Sequence, residues 1–245
     1  MNYSIASLAM EGRLIIRSLC RLSISQHLPC KKTIVCIVFL LCSIFMLSNR
    51  LQANSSSFIT QSQLTNIVKK YNPRAGKRLS LWNKMMIKAS GLTSLEKLKA
   101  VNDYFNRIKY LSDKKHWGKN DYWATAFEFI GSGAGDCEDF ATAKYFSLKL
   151  LGIEDKKLQL SYVKLKTRKK KYARNHMVLS YFATPDAEPI LLDNVNLRLK
   201  LASQRPDITP VFSFNASSLL KSKHRGKRSK TEQYNLANWQ KLLNK

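Results

Sequence analysis

Apolar residues in this chain recur with a helical period up to Gly152 and with a period of two after it, and this switch limits the folds open to it. The stretch Leu92–Tyr110 places Leu95, Leu98, Val101, Tyr104, Phe105 and Ile108 on one helical face, and Thr93 with Glu96 forms a capping box at its start. Gln61–Tyr71 carries a weaker pattern of the same kind. The segment "SDKKHWGKNDYWATAFEFIGSGAG" reads as loop-rich and aromatic. Gly131, Gly133 and Gly135 then punctuate the chain before a second helix, Asp136–Leu151, which Gly152 closes as a C-terminal cap. Beyond it, "LQLSYVKL" (158–165), "HMVLSYF" (176–182) and "EPILLDNV" (188–195) read as strands. Helices followed by antiparallel strands predict an α+β fold.

At 245 residues the chain can bury one good core. Its net charge of +26 is extreme, and such charge points to nucleic acid, an anionic membrane or an acidic partner. The distribution narrows this. Seven basic residues lie in Lys164–Arg174 and six in Lys221–Lys230, with no acid in either, and without those 13 the part beyond residue 53 carries about +8. The basicity belongs to a loop and a tail added to a modestly basic body. The region after Phe214 is Ser/Lys/Arg-rich and reads as a poorly ordered tail with a short helix at "YNLANWQKLLNK".

Thr33–Ser48 is 16 residues without a charge, preceded by Lys31 and Lys32. It is short for a spanning helix, which needs about 20 residues, and fits the apolar region of an export signal. "LQA" ending at Ala53 is a cleavage site with a large Leu51, so an uncleaved anchor is the alternative, and translation could start at Met10. Either way, Asn54 onward is expected outside the cytoplasm. The expected divisions are 1–53 (signal peptide or anchor), 54–220 (catalytic domain) and 221–245 (basic tail). Four of the five cysteines lie in the first of these, leaving Cys137 alone in the exported part. One Cys makes neither an internal disulfide nor a Cys-rich zinc site.

Cys137 sits at the predicted first turn of its helix, where the helix dipole favours a thiolate. His176 and Asp193 lie on consecutive strands separated by "ATPDAEP", with Pro185 and Asp186 supplying turn chemistry. A turn near residues 184–185 sets a register in which the two face each other directly. A Cys nucleophile, a His acid/base and an orienting Asp form a nucleophilic catalytic set. Asp136, Glu138 and Asp139 crowd the thiol in "DCED", and Asp121 lies nearby in "NDYW". Asp136 suits a helix N-cap and Asp139 the helix dipole, but the acids together could instead hold a hard cation such as calcium, which would cancel the charge around Cys137.

The pieces "KLKAVNDYFN", "WGKNDYWATAFEFI", "GAGDCEDFATAKYFSLKLLGI", "LQLSYVKL", "HMVLSYF", "AEPILLDNV" and "PVFSFN" resemble the bacterial transglutaminase-like cysteine proteases of the LapG type, over roughly Leu81–Asn215. The resemblance implies a papain-like, transglutaminase-type fold with Cys137, His176 and Asp193 as the catalytic triad. It implies calcium dependence, with Asp136 and Glu138 as ligands and Asp121 a further candidate. It also implies a periplasmic endopeptidase that cuts a large surface adhesin near its N-terminus, commonly at paired alanines, and so promotes biofilm dispersal. The partner it implies is an inner-membrane receptor for cyclic di-GMP that sequesters the protease. The basic run 164–174 and the basic tail depart from the family pattern and suit docking to an acidic adhesin or anionic membrane. Two other readings stand beside it: a transglutaminase proper, which shares the triad, and a basic nucleic-acid-binding protein, against which the export signal argues.

Overall fold

The structure is a computed structural model that describes residues 57–166, 172–215 and 230–244. The expected export segment, the inner part of the basic run and residues 216–229 lie outside these. No helix among the described residues is long and apolar enough to cross a membrane.

Three helices open the described chain: α1 (Gln61–Lys70), α2 (Pro73–Ala89) and α3 (Ser94–Phe105). Helix α1 starts with a capping box in which the Gln63 amide donates to Thr60 Oγ1 at 3.1 Å and the Thr60 amide to Gln63 Oε1 at 2.8 Å. Helix α3 has the expected box between Thr93 and Glu96 and buries Leu98, Val101 and Phe105, while Leu95 stays exposed. It stops at Phe105, so Ile108 and Tyr110 leave the predicted helix.

Helix α2 was not among the sequence expectations. Its start signals are ordinary: Pro73 opens it and the Ala75 amide donates to Asn72 Oδ1 at 3.0 Å. Basic residues mask its apolar stripe of Ala75, Leu79, Trp82, Met86 and Ala89. One of them, Arg78, turns inward and donates from Nε to the Ile130 carbonyl at 2.6 Å and from Nη2 to that of Gly131.

The segment expected as loop holds two short helices, α4 (Asp113–His116) and α5 (Ala126–Ser132). Helix α5 has its own capping box, Thr125 with Glu128, and ends at Gly133 with φ of 76°, a conformation that favours glycine. Strands β1 (Lys109–Tyr110) and β2 (Ala134–Gly135) pair in parallel beside it. A methyl on Gly135 would lie 2.4 Å from Asp139 Oδ2 and 2.7 Å from the Phe129 ring, so only glycine fits there. Helix α6 (Cys137–Leu150) follows, within one residue of the predicted span.

Strands β3 (Leu158–Leu165), β4 (Arg174–Tyr181), β5 (Ile190–Leu192), β6 (Lys200–Leu201) and β7 (Ile208–Phe214) form an antiparallel sheet in the order β6-β5-β4-β3-β7. Helix α6 packs across β4 and β3. Leu160, Tyr162, Met177, Leu179, Leu192 and Phe214 join the helices in the main core. Val163, Val178 and Leu191 make a smaller cluster with Ala202 and Ile208.

The last helix, α7 (Lys230–Leu243), belongs to the core although the sequence reading assigned it to a tail. Leu236, Trp239 and Leu242 are buried, and Trp239 contacts the rings of Tyr145, Phe146 and Phe214 at 5.1, 5.4 and 6.0 Å between centroids. Charge statistics hid three apolar residues at helical spacing. Truncating Trp239 to Ala is expected to cost about 3–5 kcal/mol in chemical denaturation; a loss under about 1 kcal/mol would mean that α7 is not part of the folding unit.

Candidate active site

Three elements converge on Cys137. It is the first residue of α6, half-buried, with Asp136 at the N-cap position. Its Sγ lies 2.8 Å from Glu138 Oε2, and the Met177 amide, one residue after His176 on β4, also hydrogen-bonds the sulfur. Burial, followed by the negative charges of Glu138 and Asp136, pushes the Cys137 thiol well above its ordinary pKa, against the smaller help of the Met177 amide. The expected dipole benefit at a helix start is therefore outweighed by burial and by the acids beside it.

His176 and Asp193 meet, by a different register from the one predicted. The β4–β5 ladder pairs Leu179 with Leu192, Ser180 with Leu191 and Tyr181 with Ile190. Continued, it sets Asp193 opposite Val178, two residues from the direct pairing with His176. A two-residue offset keeps the face, because side chains alternate with period two. His176 Nε2 lies 2.7 Å from Asp193 Oδ1, with both side chains buried. No hydrogen bond joins the His176 ring to Cys137 among the described residues.

Asp193 is held on every side. Oδ1 also accepts from the Val195 amide at 3.0 Å, and Oδ2 accepts from the Asn196 amide at 3.4 Å and from Arg205 Nη2 at 2.8 Å. Burial works to raise its pKa, but the His176 hydrogen bond and charge, the Val195 amide and Arg205 outweigh it and hold Asp193 well below the usual carboxylate range. Arg205 is itself buried and is steadied by Asp207, with Nε to Oδ1 at 3.0 Å and Nη2 to Oδ2 at 2.9 Å. Sequence reasoning missed Arg205. Its only signal was an Arg two residues before an Asp in a segment without periodicity.

The acids form a second cluster against the thiol. Ligand atoms of Asp113, Asp136 and Asp139 lie within 4.8 Å of one another, and so do those of Asp136, Cys137 and Glu138. Asp139 accepts from the Ala124 amide at 2.8 Å and the Asp136 amide at 3.3 Å. Asp113 Oδ1 and Asp136 Oδ1 are buried without a hydrogen-bond partner. Asp121, expected as a further ligand, belongs to neither group; its carboxylate accepts from Asn238 Nδ2 at 3.0 Å. Asp113, 23 residues before Asp136, is in the first group instead.

Residues 80–206, just over half the chain, match the model of the bacterial transglutaminase-like cysteine proteinase family (BTLCP). The chain belongs to this family. Solved structures of LapG from Legionella pneumophila are similar to it. One is 32% identical and covers 77% of this chain and 98% of that chain, with a TM-score of 0.61. A calcium-bound form is 33% identical over 76% of this chain and 98% of that chain, with a TM-score of 0.60. An EGTA-treated form is 35% identical over 65% of this chain and 84% of that chain, with a TM-score of 0.56. No curated protein sequence matches. The fold is thus the papain-like, transglutaminase-type α+β fold that the sequence resemblance implied, and the chain is a LapG-type cysteine protease.

The acid cluster of this LapG-type chain fits a divalent cation. It offers several carboxylate oxygens, two of them orphaned and buried, with no cation from the described residues among them. Burial, then the charges of Glu138, Asp139 and Asp113, pushes the Asp136 pKa up strongly. Burial likewise pushes Asp113 up to about 6 from 3.8. Carboxylates whose folded pKa is raised bind more protons in the folded state, so their contribution to stability is present at low pH and is lost as pH rises through that window. In chelator, folding stability should therefore fall as pH rises above about 4, with the Asp113 part of the fall complete by about pH 6, and Asp113→Asn should remove that part. Added calcium should raise the melting temperature more at pH 7 than at pH 5, because protons compete for the ligands. An equal shift at both pH values would remove the cluster as the cation site.

Proposed function

We propose that this protein is a calcium-dependent cysteine endopeptidase of the periplasm, with Cys137 as nucleophile, His176 as acid/base and Asp193 as orienting carboxylate. The observation that carries the reading is the His176 ring. An ionised Asp193 only accepts, so Nε2 donates to it and Nδ1 is left to serve the thiol. The Met177 amide on Cys137 Sγ puts the residue next to His176 beside the sulfur.

The chemistry follows from these groups. His176 Nδ1 takes the Cys137 proton, and the thiolate attacks the scissile carbonyl carbon to form an S–C bond. The imidazolium that results is stabilised by Asp193, which Arg205 and two amides keep ionised. His176 then returns the proton to the leaving amine as the C–N bond breaks, leaving a thioester on Cys137. A water, deprotonated by His176, hydrolyses the thioester and restores the thiol. Asp136, Glu138, Asp139 and Asp113 would hold the calcium ion, whose positive charge offsets the carboxylates that otherwise keep the thiol protonated.

By its membership of the family, we assign as substrate a large surface adhesin cut near its N-terminus, with release of the adhesin and biofilm dispersal as the outcome. An inner-membrane cyclic di-GMP receptor is the assigned sequestering partner. Export rests on the uncharged run Thr33–Ser48.

The test is incubation with the N-terminal fragment of a co-encoded adhesin in calcium, in chelator and with Cys137→Ala. The expected result is a pair of fragments with a new free N-terminus in calcium only, and activity at least about 10³-fold lower for Cys137→Ala. Cutting that persists in chelator would overturn calcium dependence. Amine-dependent crosslinks without new N-termini would point instead to acyl transfer.

A further inference from the structure

Helix α6 carries a second ionisable residue that the proposed chemistry does not use. Lys144 lies two turns after Cys137 and is fully buried. Its Nζ donates to Asn102 Oδ1 at 2.9 Å, Asn106 Oδ1 at 2.8 Å and the Asp193 carbonyl at 3.1 Å. Asn102 of α3 and Asn106, the residue that caps its end, pass the link on. Asn106 Nδ2 also donates to the Asp193 carbonyl, at 2.9 Å, and Asn102 Nδ2 to the Leu197 carbonyl, at 2.7 Å. One ammonium thus joins α6, α3 and the loop that begins at Asp193.

Stability alone is a poor reason for this arrangement. A buried ammonium is costly, and its three hydrogen-bond partners are neutral oxygens rather than a carboxylate. An apolar side chain of similar size, with apolar partners, would fill the space at less cost. What the ammonium supplies is geometry. Asp193 is fixed at its side chain by His176 and Arg205, and at its backbone by Lys144 and Asn106.

We propose that Lys144 is a positioning residue that ties the Asp193 backbone to the nucleophile's own helix and so sets the spacing between Cys137 and the His176–Asp193 pair. This rests on the Cys–His–Asp reading above. Three acceptors require three N–H donors, which only the ammonium has; a neutral amine has two and turns a lone pair toward one oxygen. The charged groups facing Lys144 are the Asp193 carboxylate, which also binds His176 and Arg205, and Asp103 on α3, which is ion-paired with Lys99. Burial pushes Lys144 down to about 7, against the opposing pull of Asp193 and Asp103. Its folded pKa is below its unfolded one, so its contribution to stability rises as pH rises above about 7, while the tether to Asp193 weakens. Stability and the part of Cys137 reactivity that depends on Lys144 therefore move in opposite directions with pH, which a residue that only filled space would not produce.

The test is the rate of iodoacetamide alkylation of Cys137 in the full chain with calcium, followed by mass spectrometry of the Cys137 peptide, alongside thermal melting. Wild type, Lys144→Met, Lys144→Gln and His176→Ala are compared at about pH 6.5 and about pH 8.5. At the lower pH, His176→Ala should be slow, and Lys144→Met should be slower than wild type by about tenfold or more at a temperature well below the melting point of either. At the higher pH, wild type and Lys144→Met should converge. If Lys144→Met does not fold, Lys144→Gln, which keeps two donors, carries the same expectation with a smaller loss. Equal rates for His176→Ala and wild type would overturn the Cys–His reading itself. A slow His176→Ala with Lys144→Met equal to wild type, or a Lys144→Met deficit that does not change with pH, would overturn the positioning role alone.

Discussion

A carboxylate buried away from water must find partners or give up its charge, and Asp193 finds them on every side. His176 comes from β4, Arg205 from the segment between β6 and β7, the Val195 and Asn196 amides from its own loop, and Lys144 of α6 and Asn106 at the end of α3 meet its backbone. Few sites in the chain bring so many elements to one residue. The sheet edge, the loop after β5 and two helices are thereby fixed relative to each other. Loss of any one partner would leave a charge or a polar group stranded in the interior.

Two clusters of acid therefore behave in opposite ways within one site. Asp193 has an Arg and a His on its carboxylate, and its pKa is held low. Asp113, Asp136 and Asp139 have amides and one another, and theirs are raised. The difference is the counter-charge supplied by the chain. In the calcium-dependent reading, the missing charge is delegated to an ion, and the state of the thiol follows that ion's presence. Every residue needed for chemistry can then be folded and in place while the nucleophile stays protonated.

How much of this was legible in the sequence depended on whether a feature is local. Helices α3 and α6 and strand β3 are marked by apolar period, capping residues and glycine punctuation, and were found to within a few residues. Cys137, His176 and Asp193 were singled out by residue type and spacing, yet the predicted register was off by two. Proline and turn residues mark where a hairpin bends but not how its ends are offset, and the even offset is what preserved the pairing. Helix α2 was missed because basic residues break up its apolar stripe, and α7, expected as a short helix in a tail, was assigned away from the core because the basic stretch before it masked three apolar residues at helical spacing. Arg205, Lys144 and Asp113 were beyond local reading. Each matters through an atom contributed by a distant segment, as when Lys144 meets a carbonyl 49 residues away.

The placement of α7 also bears on how the molecule is made. A chain that emerges N-terminus first presents helix α6 and the five-stranded sheet before residues 236–242 appear. Until then Tyr145, Phe146 and Phe214 have no Trp239 ring against them. Closure of the core is thereby deferred until α7 has emerged. A fold whose core closes only with Trp239 has little opportunity to act before that helix has docked.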